Sequence, residues 1–94
     1  MNDDDFEWDD AKAAANYAKH GVSFARARLV FSDPFGIGAY DDRDDYREDR
    51  FTRVGMVEGT LLFVSYTERD GRVRVISARR ATKHEQDDYY QQNR

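Results

Sequence analysis

Between residues 69 and 83 the bases are Arg69, Arg72, Arg74, Arg79, Arg80 and Lys83, and Asp70 is the only acid. A guanidinium stays charged and offers paired donors in a planar fork, which suits a phosphate. Arg79 and Arg80 run directly into Thr82, which with Glu85 makes a capping box and opens a helix. The free amides of a helix start also favour an anion. Arg79, Arg80 and Thr82 can therefore form a phosphate cradle, with Arg74 on the preceding strand as its floor and Lys83 beside it. Metal-free cleavage of an RNA phosphodiester needs three things: removal of the 2′-hydroxyl proton, stabilisation of a pentacoordinate phosphorus, and protonation of the leaving 5′-oxygen. Arginines supply the second by preorganised electrostatics. The first and third need proton carriers, for which His20, Glu68 and His84 are the titratable choices. Each has a plainer role as well: His20 ends a helix, Glu68 can pair with Arg72 or Arg74 across a hairpin, and Thr82 is a helix cap.

The net charge of the chain, −4, argues against a polyanion partner, but its distribution argues for one. Residues 1–10 hold six acids and no base, and 41–50 is also acidic in balance, so the positive charge is left concentrated. Lys12, Lys19 and His20 make a second, smaller basic group. Screening limits the reach of distant charge to about 8–10 Å, so the local patch decides what a polyanion meets.

Several other chemistries are excluded. His20 and His84 are far apart and belong to no ligand-spaced cluster, and the chain has no cysteine, so a zinc site is not expected. The acidic run at 41–49 lacks the glycine and terminal glutamate of a calcium loop. FGIGAY (35–40) is no GxGxxG, and its glycines point to a bulge or close backbone packing. No serine-based triad has a signature. No metal and no cofactor is expected. The first ten residues, MNDDDFEWDD, are the opposite of a signal peptide, and no run reaches the roughly 18 apolar residues of a membrane span, so a soluble cytoplasmic protein with no membrane partner is expected.

The elements that must carry these side chains follow from periodicity. A chain of 94 residues, 39% apolar, with six Phe, six Tyr and one Trp, supports one modest core and one domain over 1–94. FEW (6–8) fits an edge strand or an anchor on the core. Asp9 or Asp10 caps a helix over AKAAANYAKH, which Lys19 and His20 finish and Gly21 stops. Ser23 restarts a helix over FARARLVF, with Phe24, Ala27 and Phe31 on one face, and Asp33-Pro34 ends it. The period then changes to two. Strands are expected over 35–42, 51–57, 60–68 and 72–79, with a solvated loop at 43–49 and turns at Glu58-Gly59 and Asp70-Gly71. TLLFVSYTE (60–68) is the most apolar and so the central strand. Strict alternation puts Val73, Val75 and Ser77 on one face of the last strand, and Arg72, Arg74, Ile76 and Ala78 on the other. The final helix, TKHEQDDYYQQ, is polar enough to be peripheral. The expected fold is α+β: an N-terminal helical hairpin packed on an antiparallel meander of about four strands, then a C-terminal helix.

FEWD (6–9), the spaced Lys12, Asn16 and KHGVSF (19–24), VFSDP (30–34) and RVRVISARRATKHE (72–85) occur here in order. Together they resemble the BrnT family of bacterial toxins over roughly residues 6–90. That resemblance implies a RelE-like fold, ribonuclease activity that blocks translation, and neutralisation by a BrnA-type antitoxin. It implies promoter DNA as a partner only through the toxin–antitoxin complex, with the DNA-binding part on the antitoxin. Lys12, Lys19 and His20 match its first basic motif, Arg79 and Arg80 its second, and Glu68 and Arg74 its charged strand positions. The resemblance assigns neither base nor acid; joined to the chemistry above, it makes the catalytic set His20, Glu68, Arg79 and Arg80, and the RNA phosphates fall to Lys12, Lys19, Arg74, Thr82 and Lys83. The chain departs from the family in Arg26 and Arg28, where acids are usual, in its very acidic 41–50 loop, and in lacking a proline after FEWD. The rival reading is a non-catalytic interaction module whose arginines dock an acidic protein partner; a DNA-reading repressor ranks below both, because no recognition helix is evident.

Overall fold

A computed structural model describes residues 5–42 and 47–94. The elements are β1 (Phe6–Glu7), α1 (Asp10–His20), α2 (Phe24–Ala27) continuing into a 3₁₀ helix (Arg28–Ser32), β2 (Ile37–Asp41), β3 (Arg50–Val57), β4 (Thr60–Arg69), β5 (Arg72–Arg80) and α3 (Lys83–Gln92). The strands form one sheet in the order β1-β5-β4-β3-β2. β2 to β5 make the antiparallel meander, and β4 is central as its apolar run requires. β1 adds a fifth, parallel strand, with Phe6 opposite Val73 and Glu7 opposite Arg74. FEW is both edge strand and core anchor, since Trp8 is buried against Phe24. The class is α+β. Of the loop expected over 43–49, residues 43–46 lie outside the described residues, as do residues 1–4 of the acidic N-terminus.

Local signals set the element ends. The Asp9 carboxylate accepts from the Lys12 amide at the start of α1, and Gly21, at φ 69°, closes it. Ser23 caps α2 through the Arg26 amide. Both hairpin turns use two consecutive left-handed residues, Glu58-Gly59 and Asp70-Gly71, the geometry that matches strand twist. The second helix differs from the expected span over FARARLVF. It is α-helical for one turn and then tightens to three residues per turn. That tightening keeps Phe24, Ala27 and Val30 in line, so Val30 is fully buried while Phe31 is only partly so. Gly55 permits this close approach: a Cβ there would lie 2.8 Å from the Val30 carbonyl oxygen.

Two apolar clusters lie on opposite sides of the sheet. The larger joins Trp8, Val22, Phe24, Ala27 and Val30 to Leu62, Val64, Val75 and Ala78. Fully burying a side chain such as Phe24 or Leu62 contributes about 1.5–3 kcal/mol. The smaller joins Val54, Leu61 and Ala81 to Tyr89 of α3. Far from being loosely attached, α3 is tied down at Asp33, whose carboxylate accepts from the Tyr89 hydroxyl and the Met56 amide, both at 2.7 Å.

Candidate functional site

β5 does not alternate strictly. Tyr66 faces Val75 and Ser65 faces Ser77, so Ile76 is an extra residue on β5. This bulge reverses the faces beyond it. Ala78 joins Val75 in the larger core cluster, whereas alternation had put it with Arg74. Arg74, opposite Thr67, and Arg79, opposite Phe63, instead share the face on which α3 packs. Two arginines five positions apart, which a regular strand would set on opposite sides, are brought to one side by the bulge.

Arg79 is held from three directions. Its guanidinium lies over the Phe63 ring, 4.1 Å from the centroid. Nη1 and Nη2 donate to Oε1 and Oε2 of Glu85 at 2.8 and 3.0 Å, and Nη1 also reaches the Arg80 carbonyl at 3.2 Å. One third of the side chain remains exposed. The capping box completes the network: the Thr82 amide donates to Glu85 Oε1 at 2.8 Å, and the Glu85 amide donates to the Thr82 hydroxyl at 3.2 Å. Burial alone would raise the Glu85 carboxyl, but the hydrogen bonds from Arg79 and Thr82 and the Arg79 charge outweigh it and hold it below the usual carboxylate range. Beside this network opens a cavity of about 240 Å³ lined by Thr52, Phe63, Arg79 and Glu85 together with residues 40–42.

The other expected site residues are distributed unevenly around this centre. Thr82 belongs to the network, although as a cap whose hydroxyl and amide are both engaged with Glu85. Arg74 donates to Glu7 of β1 at 2.6 Å, with both side chains mostly buried. Arg80 diverges from Arg79: it faces Leu62, is exposed, and lines a second cavity of about 240 Å³ with Leu61, Ala81 and Tyr90. Lys83 is exposed and bonded to Asp87, and His84 pairs with Asp88 one turn on. Lys12 and Lys19 are exposed on α1, and His20, half-buried, ends it. Glu68 is exposed opposite Val73, on the face away from Arg74. Among the described residues no hydrogen bond or ion pair joins His20 or Glu68 to Arg74, Arg79 or Arg80.

Three contributors escaped the sequence. Phe63 reads as a core strand residue, and its position under Arg79 depends on the bulge. Glu85 carries a local signal, but only for capping. Asn16, within the first motif, is a structural seal: its Nδ2 donates to the carbonyls of Ala78 (2.9 Å) and Val22 (3.0 Å), and its Oδ1 accepts from the Ala78 amide (3.1 Å). It satisfies the edge of β5 where β1 stops, so α1 is fixed to the same strand that carries the arginines.

Among the described residues, no three or more His, Asp or Glu side chains cluster as a metal site, and no helix is long and apolar enough to cross a membrane. No curated protein matches the chain at a significant level. The family model described as "Ribonuclease toxin, BrnT, of type II toxin-antitoxin system" matches residues 8–85, from the buried Trp8 to the Glu85 that holds Arg79. The chain belongs to the BrnT family of ribonuclease toxins of type II toxin–antitoxin systems.

Proposed function

We propose that this toxin is a metal-independent endoribonuclease that blocks translation in the cytoplasm by cutting RNA next to Arg79. Membership in a ribonuclease toxin family supplies RNA as the substrate and an antitoxin as the partner. One observation carries the local assignment: the Arg79 fork is oriented in advance by Phe63 and Glu85, yet it stays partly exposed at the mouth of an open cavity. A guanidinium held in place keeps its charge aimed at the cavity, and the N–H groups not taken by Glu85 and Arg80 are left for a phosphorane oxygen.

In this reaction the 2′-oxygen forms a bond to phosphorus as its proton passes to a base. The P–O5′ bond breaks, and an acid returns a proton to the 5′-oxygen. The products are a 2′,3′-cyclic phosphate and a 5′-hydroxyl. Arg79 stabilises the pentacoordinate intermediate, and the exposed Arg80 and Lys83 contact flanking phosphates. Arg74 and Thr82 join them by exchanging Glu7 and Glu85 for phosphate oxygens, and Lys12 and Lys19 hold the RNA further along. Proton transfer is assigned to His20 or Glu68 on their chemistry alone, since Glu68 lies across the sheet from Arg79 and, among the described residues, neither is bonded to the arginines. The single substitutions His20→Asn and Glu68→Gln test this, and undiminished cleavage in both moves the role to Glu85, the carboxylate already on Arg79. The rest of the reading is a single RelE-like domain over 1–94, a BrnA-type antitoxin, and DNA contact only through the antitoxin complex.

The test is inducible expression of the toxin alone beside Arg79→Ala. Growth arrest with RNA decay from the parent and neither from the variant supports the reading. Intact RNA and normal growth with well-folded, unpartnered parent protein contradict it, and leave the arginines as a docking site for an acidic partner.

A further inference from the structure

The two ends of the sheet are finished differently. At one end β1 is only two residues long, and beyond it Asn16 takes both edge groups of Ala78. Very short edge strands and covered edges are the usual protections against unwanted pairing. At the other end β2 spans Ile37–Asp41 with an unbroken register against β3. Gly38, Ala39 and Tyr40 are all exposed, and the strand contains no lysine, proline or bulge to blunt it.

Along β2, on the α3 side, runs a groove of about 360 Å³. Ile37, Ala39, Val54 and Phe63 contribute its apolar floor. α3 contributes Glu85, already bonded to Arg79, and the exposed Asp88, whose one ion-pair partner among the described residues is the exposed His84. Side chains alternate along a strand, so one added beside β2 would set every second side chain over this groove, next to Ile37 and Ala39. The matching chemistry is an extended segment with an apolar side chain at one such position and a lysine or arginine at the next.

We infer that β2 is the docking edge for an extended, basic and apolar segment of the antitoxin, which joins the sheet as an additional strand. A type II toxin has one obligatory protein partner, and the exposed Asp88 carboxylate beside the apolar floor favours a basic side chain in it. The groove shares Thr52, Phe63 and Glu85 with the cavity at Arg79. If the proposed RNA site is right, a segment seated there also obstructs it; the docking itself does not depend on that site.

Hydrogen exchange on the free toxin and on its complex with the antitoxin encoded beside it tests the inference without measuring RNA cleavage. Within residues 38–40, the amides that point away from β3 are expected to slow at least tenfold in the complex, while those at Phe6–Glu7 stay unchanged. Asp88→Lys and Ala39→Lys, both at exposed positions, are each expected to weaken antitoxin binding at least tenfold with circular dichroism unaltered. Exchange at 38–40 equal in free and bound toxin, or parental affinity in either variant, overturns the inference. Protection in the antitoxin-free toxin that grows with its concentration also overturns it, in favour of a second copy of this chain. Because cleavage is not part of the assay, a failure here leaves the ribonuclease reading standing.

Discussion

Glu85 accepts two hydrogen bonds from Arg79 and one from the Thr82 amide, so a single carboxylate both caps α3 and fixes the guanidinium on β5. Its negative charge also lines the cavity beside Arg79, where it opposes the approach of an RNA phosphate. A glutamine can keep the capping role, since the capping box accepts either residue, but it cannot match the charge. Glu85→Gln is therefore expected to keep the cap but to lose the charged pair with Arg79, at a cost of about 1–3 kcal/mol. It should also bind RNA bearing 2′-deoxy substitutions, which cannot be cut, severalfold more tightly at low salt. Titration by fluorescence anisotropy checks this, and unchanged affinity would separate Arg79 from the RNA.

The clamp between Asp33 and Tyr89 predicts how stability depends on pH. Burial opposes ionisation of Asp33, yet the Met56 amide, the Tyr89 hydroxyl and the Phe35 amide together hold its carboxyl below the usual 3.8. Glu85 is likewise held below 4.5. Both contributions are present above those values and are lost as pH falls through the lowered ones. Tyr89 is pushed up to about 12, first by burial and then by its bond to Asp33. That contribution is complete below pH 10 and is lost as pH rises towards about 12. Thermal melts should show Tm falling on both limbs, with Tyr89→Phe flattening the alkaline one. An alkaline limb that survives in Tyr89→Phe assigns it elsewhere.

Asn16 both donates to and accepts from Ala78, a combination that aspartate and leucine cannot reproduce. Asn16→Leu leaves buried backbone groups unpaired and is expected to cost about 2–4 kcal/mol. Asn16→Asp should be worse near neutral pH, because it turns a carboxylate towards two carbonyl oxygens. Urea denaturation gives both values. A loss of only a few tenths of a kcal/mol would mean that the β5 edge does not need this seal.

At Gly55 the limit is space. A methyl group would meet the Val30 carbonyl oxygen at 2.8 Å and the Val30 Cβ at 2.9 Å, and neither is a flexible side-chain end. Gly55→Ala must push the 3₁₀ helix off the sheet, at a cost of about 1–3 kcal/mol. Equal or greater stability on denaturation would show that this contact can relax freely.

Features decided by neighbours in sequence were legible before the structure. The Asp9 and Ser23 caps, Gly21, the Glu58-Gly59 and Asp70-Gly71 turns and the Thr82–Glu85 box each involve residues within four positions of one another. What depended on distant contacts was not legible. Two residues of FEW become a parallel strand only because Val73 and Arg74 offer them an edge. Alternation failed on β5 because a one-residue bulge at Ile76 leaves no mark in composition. The same failure hid the side of the sheet on which Arg79 lies, and with it the role of Phe63. The polar sequence of α3 suggested a peripheral helix, and all but Tyr89 of it is exposed or half-buried, but the bond from Tyr89 to Asp33, 56 positions away, that anchors it left no sign. His20 and Glu68 carry suitable chemistry, but their types say nothing about which face of the sheet they serve.

The central claim is that Arg79 stabilises an RNA phosphate attacked by its own 2′-oxygen. Its most direct test is cleavage of a short RNA by purified toxin in excess chelator, beside the same RNA carrying a 2′-deoxy sugar at the cut site, with the parent compared to Arg79→Lys and Arg79→Ala. The account predicts a 2′,3′-cyclic phosphate and a 5′-hydroxyl from the parent and no cut at the deoxy position. It also predicts a rate loss of about a hundredfold or more in Arg79→Ala, with Arg79→Lys recovering only part of it. Cleavage at the deoxy position, dependence on added metal, or full activity in Arg79→Ala would contradict it.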